Sequence, residues 1–254
     1  MARSLRRSHH PGKLIVVEGI DGSGKSTQLD LLHKWLLSEN YLVAFSEWNS
    51  SPVVRRITKR GKENKSLTPL SFSLIHAADF TDRLERQIIP ALEAGAIVLA
   101  DRYVYTAFAR DVARGCSPQW VREVYSSALQ PTLAFYFRVP LEESLRRILV
   151  GRPELKYYEA GLDLGLASDP YESFKLFQSR ILQEYETLTE EFNLTVIDAT
   201  QPLVKQQEQM RAVVRPHLEG ALKAGAGSVA DVLRDEALLG RYLEQISIGK
   251  NGEK

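Results

Sequence analysis

A short glycine-rich segment near the start of the chain carries residue types that bind phosphate. It runs from Gly19 to Ser26 as Gly-Ile-Asp-Gly-Ser-Gly-Lys-Ser, between the apolar run 14–17 and an amphipathic stretch. This order of strand, glycine-rich loop and helix is the context that a phosphate-binding loop requires. Backbone N–H groups of such a loop, and of the helix that follows it, point at one spot and bind phosphate oxygens. The segment therefore predicts a nucleotide-binding site rather than a turn without a ligand.

The side chains of this loop have separate predicted roles. Gly19, Gly22 and Gly24 permit backbone angles and a close approach that a side chain would block. Lys25 is expected to place a positive charge on the β- and γ-phosphates, and the hydroxyl of Ser26 is expected to ligate Mg²⁺. The predicted nucleotide-binding residues of the loop are Gly19, Ile20, Asp21, Gly22, Ser23, Gly24, Lys25, Ser26 and Thr27.

A second polar cluster, Asp101-Arg102-Tyr103, directly follows an apolar run over residues 96–100. Ligands of a doubly wound sheet bind at the carboxyl ends of its strands. Asp101 is therefore predicted to hold Mg²⁺ or its water shell, and Arg102 to bind a phosphate through two hydrogen bonds. An ordinary Asp–Arg surface pair is the alternative, and the position at the end of a buried strand favours the functional interpretation.

A third cluster of basic residues surrounds an irregular, glycine-bearing segment over residues 151–170. Its members are Arg146, Arg147, Arg152 and Lys156. Phosphoryl transfer depends almost entirely on positioning and on the neutralisation of charge. Arginines on a loop that closes over the reacting phosphates supply that charge and help to exclude water. Arg146 is explained equally well by a solvated helix face, whereas Arg147 and Arg152 are predicted to be functional.

The rest of the chain alternates between apolar runs and helical patterns, which predicts a parallel sheet covered by helices. Strands are predicted over residues 14–17, 41–45, 96–100, 133–139 and 194–198. Helices are predicted over residues 26–38, 53–61, 69–94 with a kink or break at Pro90, 119–128, 141–150 and 171–192. The fold class is therefore α/β: a doubly wound, five-stranded parallel sheet of the P-loop NTPase type, with helices on both faces and a lid over about residues 150–170.

The two ends of the chain differ in character from this domain, which is expected over residues 13–217. Residues 1–12 are basic and lack the apolar core of a secretory signal, so a disordered arm is expected there. Glycines at positions 220, 225 and 227 indicate a linker, and apolar residues recur at helical spacing over 229–246. Residues 218–254 are therefore expected to form a linker and a C-terminal helical extension.

The composition excludes several classes of protein. The chain has 254 residues, 44% of them hydrophobic, and a net charge of +1, which gives no general attraction to nucleic acid or to a membrane surface. Its single cysteine, Cys116, rules out an intramolecular disulfide and a cysteine-based metal site. No apolar stretch approaches the roughly 18 residues that a membrane span needs. A cytoplasmic enzyme without a nucleic-acid or membrane partner is expected.

Taken together, these motifs resemble those of thymidylate kinases. The resemblance rests on residues 17–28, on the strand-end triplet 101–103, and on Phe177, Arg180 and Tyr185 in the last long helix. It covers about residues 13–215. It implies transfer of the γ-phosphate of ATP to a nucleoside monophosphate, with Mg²⁺ bound at Ser26 and Asp101. It also implies a homodimer.

The resemblance further implies roles for individual residues. Arg147 would stack on the adenine of ATP beside Ala199. Gly22 stands where some family members carry a catalytic arginine, so Arg152 in the lid is the candidate for that role. The catalytic residues would be Lys25, Asp101, Arg102 and Arg152. The acceptor would be bound by Asp21, Glu47, His76, Phe80, Arg102, Tyr103 and Arg110.

Four positions depart from the family pattern where the acceptor is bound. Ser46 stands where an arginine is usual, and His76 and Phe80 replace a phenylalanine that stacks on the base and an arginine that binds it. Arg110 replaces a tyrosine that helps to exclude a 2′-hydroxyl. A site built to bond a polar edge strongly rejects mismatched ligands, so the loss of that arginine is not a neutral change. Thymidylate is therefore expected to be a poor or non-exclusive acceptor, and Phe80→Arg is expected to restore the preference for it.

The sequence as a whole predicts an ATP-dependent nucleoside monophosphate kinase that resembles thymidylate kinases. One alternative is a P-loop kinase of another small phosphorylated acceptor. The other alternative is a nucleotide-binding regulatory protein without turnover. The presence of Lys25, Ser26, Asp101 and Arg102 argues against the regulatory protein.

Overall fold

A computed structural model describes residues 5–223 of the chain, and a β-sheet lies at their centre. Its five strands are all parallel and lie in the order β2-β3-β1-β4-β5. They are β1 (Lys13–Glu18), β2 (Val43–Glu47), β3 (Ile97–Asp101), β4 (Leu133–Arg138) and β5 (Thr195–Asp198). Strands β1 and β3 are almost entirely buried, as expected of a parallel sheet covered on both faces. The predicted α/β fold with a five-stranded parallel sheet is confirmed.

Nine α-helices of the described residues pack around this sheet. They are α1 (Lys25–Ser38), α2 (Arg55–Glu63), α3 (Pro69–Arg83), α4 (Ile89–Glu93), α5 (Val104–Ala113), α6 (Pro118–Val124), α7 (Leu141–Gly151), α8 (Pro170–Phe192) and α9 (Leu203–Val214). A π-helical turn over Leu84–Ile88 joins α3 to α4, so the stretch predicted as one helix changes its winding before Pro90 rather than at it. No helix within residues 5–223 is long and apolar enough to cross a membrane.

Helix α5 is absent from the sequence prediction, and its burial explains why. Six consecutive residues, from Val104 to Ala109, are buried, together with Asp111 and Ala113. The run from Val104 to Ala109 contains no charged residue, so it lacks the solvent-facing charged positions that mark a surface helix in a sequence. This omission matters for function, because α5 begins immediately after the triplet 101–103.

The N-terminal segment packs on the domain, contrary to the prediction. Leu5 is buried, and Arg6 forms a parallel bridge with Leu129. The backbone N–H of Arg6 donates to the carbonyl of Ala128 at 3.0 Å. The prediction of a disordered arm is therefore wrong for residues 5–12, because long-range backbone pairing holds them.

The segment after α9 also contacts the domain. The backbone N–H of Leu222 donates to the carbonyl of Gly95 at 3.0 Å, and the carbonyl of Leu222 accepts from Leu42 at 2.9 Å. Residues 218–223 are therefore part of the packed domain rather than the start of a linker. The predicted helix over residues 229–246 lies outside the described residues.

The topology brings three strand ends to one crevice. Strands β2 and β3 lie on one side of β1, and β4 and β5 lie on the other. Glu47 at the end of β2 and Val17 near the end of β1 are both opposite Asp101, the last residue of β3. Ligands of such sheets bind where the strand order reverses, outside the carboxyl ends of the strands. The loops after β1, β2 and β3 therefore meet at a candidate site.

Candidate active site

The glycine-rich loop joins β1 to α1 in the conformation that phosphate binding needs. Gly24 precedes α1 with a φ of 85°, and no side chain caps this helix N-terminus. Gly22 has a φ of 75°, and a Cβ there would lie 2.6 Å from the carbonyl oxygen of Ser144 on α7. The hydroxyl of Ser23 is buried and has no hydrogen-bond partner in the part of the chain that the structure describes. The loop therefore offers uncapped N–H groups and a hydroxyl donor to a bound anion.

Lys25, the first residue of α1, is buried at the base of this loop. Its Nζ lies 3.4 Å from the carbonyl oxygen of Ile20 and 4.0 Å from the carboxylate of Asp21. Burial lowers the pKa of Lys25, and the positive charge of Arg102 lowers it further, while the carboxylates of Asp21 and Asp101 oppose this shift. An ammonium group that is desolvated and only loosely paired gains most from a phosphate oxygen placed beside it.

Arg102 lies in a strained backbone conformation that directs it at the loop. Its φ is 71°, a left-handed value that costs a non-glycine residue about 1–3 kcal/mol. Its guanidinium donates to the carbonyl of Gly19 at 3.0 Å and to the carboxylate of Asp21. Burial alone would raise the pKa of Asp21, but the charges of Arg102 and Lys25 outweigh it and hold this pKa below its usual range. The pair is thus fixed at the mouth of the loop.

The fully buried carboxylate of Glu18 stabilises the strained turn at Arg102 through hydrogen bonds with the residues that follow it. One oxygen accepts the backbone N–H groups of Tyr103 at 2.7 Å and of Thr106 at 3.2 Å. The other accepts the hydroxyls of Thr106 at 2.6 Å and of Tyr185 at 2.9 Å. Burial raises the pKa of Glu18, and these hydrogen bonds together with Arg102 oppose the shift. Because Glu18 satisfies the first N–H groups of α5, it positions the residue immediately before that helix.

Two oxygen-bearing side chains meet where a metal was predicted. The hydroxyl of Ser26 donates to a carboxylate oxygen of Asp101 at 2.5 Å. Burial raises the pKa of Glu47, at the end of the adjacent strand, and the charge of Asp101 raises it further. No group of three or more potential metal-binding side chains occurs within residues 5–223. This donor set fits Mg²⁺, which proteins usually bind through one or two carboxylates together with substrate phosphates.

The lid places one of its predicted arginines toward the loop. Arg152 forms an ion pair with Glu159, and each side chain keeps one buried polar atom without a partner, Nη1 and Oε1 respectively. The charge of Arg152 contributes to the lowered pKa of Asp21, so the guanidinium lies within electrostatic range of the loop. Burial raises the pKa of Glu159, and the nearby charge of Asp21 raises it further.

The other basic residues of this region separate into a packed and a solvated group. Arg147 donates to the carbonyl of Ala199 at 2.9 Å and to that of Gly22 at 3.4 Å. The structure thus brings together the two residues that the resemblance assigns to the adenine. Arg146 is 65% exposed and pairs with Glu143 on the same helix, which is the solvated helix face considered as its alternative.

A cavity of about 600 Å³ connects the loop to α5, α8 and the lid. The predicted site residues on its wall are Gly19, Ile20, Asp21, Lys25, Ser26, Glu47, Asp101, Arg102 and Arg110. A further set of residues on the same wall was not predicted from the sequence: Trp48, Lys62, Phe72, Arg114, Tyr158 and Glu159. A signal existed for two of them, since Trp48 directly follows Glu47 and Arg114 lies one helical turn after Arg110.

Three residues predicted to bind the acceptor do not line this cavity. Phe80 is in the core, with its ring edge-on to Tyr103 at 5.1 Å and tilted against Tyr125 at 5.3 Å. The hydroxyl of Tyr103 donates to the backbone carbonyl of Leu129 at 3.0 Å. His76 is fully buried and stacks at 4.3 Å on Phe72, which is the cavity-lining residue one turn earlier on α3. The structure therefore does not bring Phe80, Tyr103 and His76 to the wall of this cavity, and their contacts with an acceptor stay predictions that it does not support.

The fold and the glycine-rich loop together define a P-loop phosphotransferase of the nucleoside monophosphate kinase type. A family model described as thymidylate kinase matches residues 17–210. The probable thymidylate kinase 2 of Saccharolobus solfataricus is 44% identical over 213 residues, which cover 83% of this chain and 99% of that protein. The probable thymidylate kinase of Pyrococcus abyssi is 30% identical over 216 residues, covering 82% and 98%. The chain therefore belongs to the thymidylate kinase family.

Proposed function

We propose that this protein transfers the γ-phosphate of ATP to the phosphate of a nucleoside monophosphate bound in the 600 Å³ cavity. The observation that carries the proposal is the set of side chains that lines that cavity. Lys25, Arg102 and the Ser26–Asp101 pair lie on its wall together with a second region of aromatic and cationic side chains. The first set of residues can thus hold the reacting phosphates, while the aromatic and cationic side chains hold the rest of an acceptor. Thymidylate is an obvious acceptor to test, since relatives are described as thymidylate kinases.

The proposed mechanism is in-line transfer assisted by charge and by position. Backbone N–H groups of the glycine-rich loop and Lys25 bind the phosphates of ATP, and Arg102 holds the acceptor phosphate in line with them. Arg152 of the lid neutralises charge that develops during transfer. Bound Mg²⁺, held through Ser26 and Asp101, would neutralise phosphate charge as well. Arg147 and Ala199 contact the adenine on the opposite side of the loop.

The release of ADP in the presence of different nucleoside monophosphates tests this proposal. We expect acceptor-dependent ADP release that requires Mg²⁺. Binding of ATP without turnover on any acceptor would instead support the nucleotide-binding regulatory protein. Turnover with a phosphorylated acceptor that carries no base would support the other alternative, a kinase of a different small acceptor.

Arg152→Ala is expected to lower the turnover number by at least about tenfold, with much less effect on the affinity for ATP. A lid arginine acts mainly on charge that appears in the transition state, and such an interaction contributes to kcat rather than to ground-state binding. Arg146→Ala is the matched control, because Arg146 lies six residues earlier on α7, is exposed and pairs with Glu143. A loss of ATP affinity with an unchanged turnover number would make Arg152 a binding residue.

The pH dependence of acceptor binding should report on Lys62, which lines the cavity. Burial and three neighbouring cations lower its pKa to about 7, so its charge is present below that pH and lost above it. We expect the acceptor KM to rise between pH 6 and pH 8 because a charged donor binds oxygen atoms more strongly. The groups that face Lys62 are Arg110, Arg114, Lys156, Asp79 and the ring of His76.

The comparison with Lys62→Met isolates this effect. The acceptor phosphate itself titrates near pH 6, and it does so identically with both proteins. The ratio of the two KM values should therefore follow the charge of Lys62 alone. A ratio that stays constant across this pH range would exclude the titration of Lys62 as a factor in acceptor binding.

We also infer a homodimer and a cytoplasmic location. Leu70 and Leu74 are 56% and 51% exposed and share one face of α3, since they lie one helical turn apart. Exposed apolar side chains on one helix face support association with a second copy, and sedimentation equilibrium of wild type and Leu74→Glu tests it. The cytoplasmic location is supported by the single cysteine and by the use of ATP.

A further inference from the structure

Arg110 of α5 and Arg114, the residue directly after that helix, carry unused hydrogen-bond donors into the cavity. Arg110 and Arg114 lie one helical turn apart, and both line the cavity wall. Their side chains are only 19% and 0% exposed. Within residues 5–223, Nε and Nη2 of Arg110 and Nη1 of Arg114 are buried and have no hydrogen-bond partner. A buried donor without a partner destabilises the folded protein, and a charged donor does so more strongly. A ligand with hydrogen-bond acceptor atoms would therefore be bound favourably by these three nitrogen atoms.

The remaining contacts hold both guanidinium groups in place. Arg114 donates to the carboxylate of Asp163 at 3.1 Å and to the backbone carbonyl of Tyr158 at 2.5 Å, both in the lid. Arg110 lies 4.7 Å from the ring centre of Phe72, and Arg114 lies 4.3 Å from it. A guanidinium stacked on an aromatic ring keeps the N–H groups of its edge available. The free edges are therefore positioned by packing before any ligand arrives.

The charges around the two arginines favour hydrogen-bond acceptors over donors. Lys62 lines the same wall, and His76 lies directly behind Phe72. The nearest carboxylate to Arg110 belongs to Asp111, at 3.8 Å, and its other oxygen already accepts the hydroxyl of Ser73. A ligand that presents amino groups to this wall would place donors against donors. Carbonyl oxygens would instead satisfy the unpaired N–H groups.

We propose that Arg110 and Arg114 are specificity-determining residues that donate hydrogen bonds to carbonyl oxygens on the base of the acceptor. The acceptor class that fits is a uracil or thymine nucleotide, whose base carries two carbonyl oxygens that two arginines one turn apart can bind separately. Cytosine replaces one of these oxygens with an amino group, and adenine has no carbonyl oxygen. This inference rests on the proposed kinase activity, and it assigns base recognition to α5 instead of α3.

The test is the specificity constant, kcat/KM, for dTMP, dUMP, UMP, dCMP, CMP, AMP and GMP. We expect the uracil and thymine nucleotides to exceed the cytosine and adenine nucleotides by at least tenfold. Arg110→Gln should reduce that preference at least tenfold, chiefly through a higher KM for the preferred acceptors. Arg138→Gln is the matched control, because Arg138 is a half-exposed arginine at the end of β4 that pairs with Glu186 of α8 and is not among the residues that line the cavity.

A second variant protects the test against misfolding. Arg110→Lys keeps a positive charge but offers a single donor point, so it should fold and retain part of the preference. Calorimetric titration with dTMP and dCMP in the absence of ATP measures the same discrimination without turnover. Preference for cytosine or adenine nucleotides in the wild type, or unchanged discrimination in both Arg110 variants, would overturn the assignment. Absence of ADP release with every acceptor would instead contradict the proposed function itself.

Discussion

Lys25→Ala is expected to reduce phosphoryl transfer at least about a hundredfold while the protein remains folded. Removal of a single group that stabilises transition-state charge costs several kcal/mol in comparable sites. Lys25 is buried beside the loop, and within residues 5–223 its closest carboxylate is that of Asp21, at 4.0 Å. Burial lowers the pKa of Lys25, which means that the folded protein gains little from this charge in the absence of phosphate. The variant should therefore lose activity without a matching loss of stability.

The measurement compares turnover and thermal unfolding of Lys25→Ala with those of Lys34→Ala. Lys34 lies on the same helix, is largely exposed and pairs with Asp30 at 2.6 Å, so it controls for the removal of a lysine from α1. An exposed pair of this kind contributes at most about 1 kcal/mol. Near-normal turnover in Lys25→Ala would contradict the assignment of the glycine-rich loop to catalysis.

Phe80→Arg is expected to destabilise the protein by roughly 3–5 kcal/mol instead of restoring a base contact. The family pattern predicts an arginine at this position that reads the base. The structure places the ring of Phe80 in the core, against Tyr103, Tyr125 and Trp48. A guanidinium there would have to be desolvated among aromatic rings, and the adjacent Arg83 already adds a positive charge 5.8 Å from the centre of the Phe80 ring.

Denaturant unfolding of Phe80→Arg beside two reference variants measures this effect. Phe80→Leu keeps an apolar side chain and should cost much less. Leu74→Arg introduces the same charge on the same helix at an exposed position, so it should be nearly neutral when measured on the monomer. A stable Phe80→Arg protein with an increased preference for thymidylate would return this position to the acceptor site.

The glycine-rich loop could be predicted from the sequence because its residues are contiguous. Gly19, Gly22 and Gly24 have positive φ values, and Lys25 begins the helix as the motif requires. Local backbone geometry is enough to specify such a loop. The sequence also predicted Asp101 at the end of a buried strand. Parallel pairing then brings its carboxylate to the hydroxyl of Ser26, 75 residues earlier in the chain.

Helix faces were harder to predict. Counting along α3 placed His76 and Phe80 at the acceptor, but Phe72 is the residue of this helix that reaches the cavity. The π-helical turn after Arg83 changes the winding of this stretch, so spacing from Pro90 does not determine which face turns inward. A sequence period shows that a helix has two faces, and packing decides which one meets a ligand.

The sequence by itself determined the fold class, the family and the phosphate-binding end of the site, because these depend on contiguous motifs and on the hydrophobic pattern. Only the tertiary structure decided the composition of the acceptor end. Arg114 directly follows a buried helix that was not predicted from the sequence, and Tyr158 of the lid meets Leu67 through a 3.0 Å hydrogen bond across 91 residues. The N-terminal segment is held by Leu129 in the same way. Contacts between distant segments depend on how whole elements pack, and no local pattern of residues records that packing.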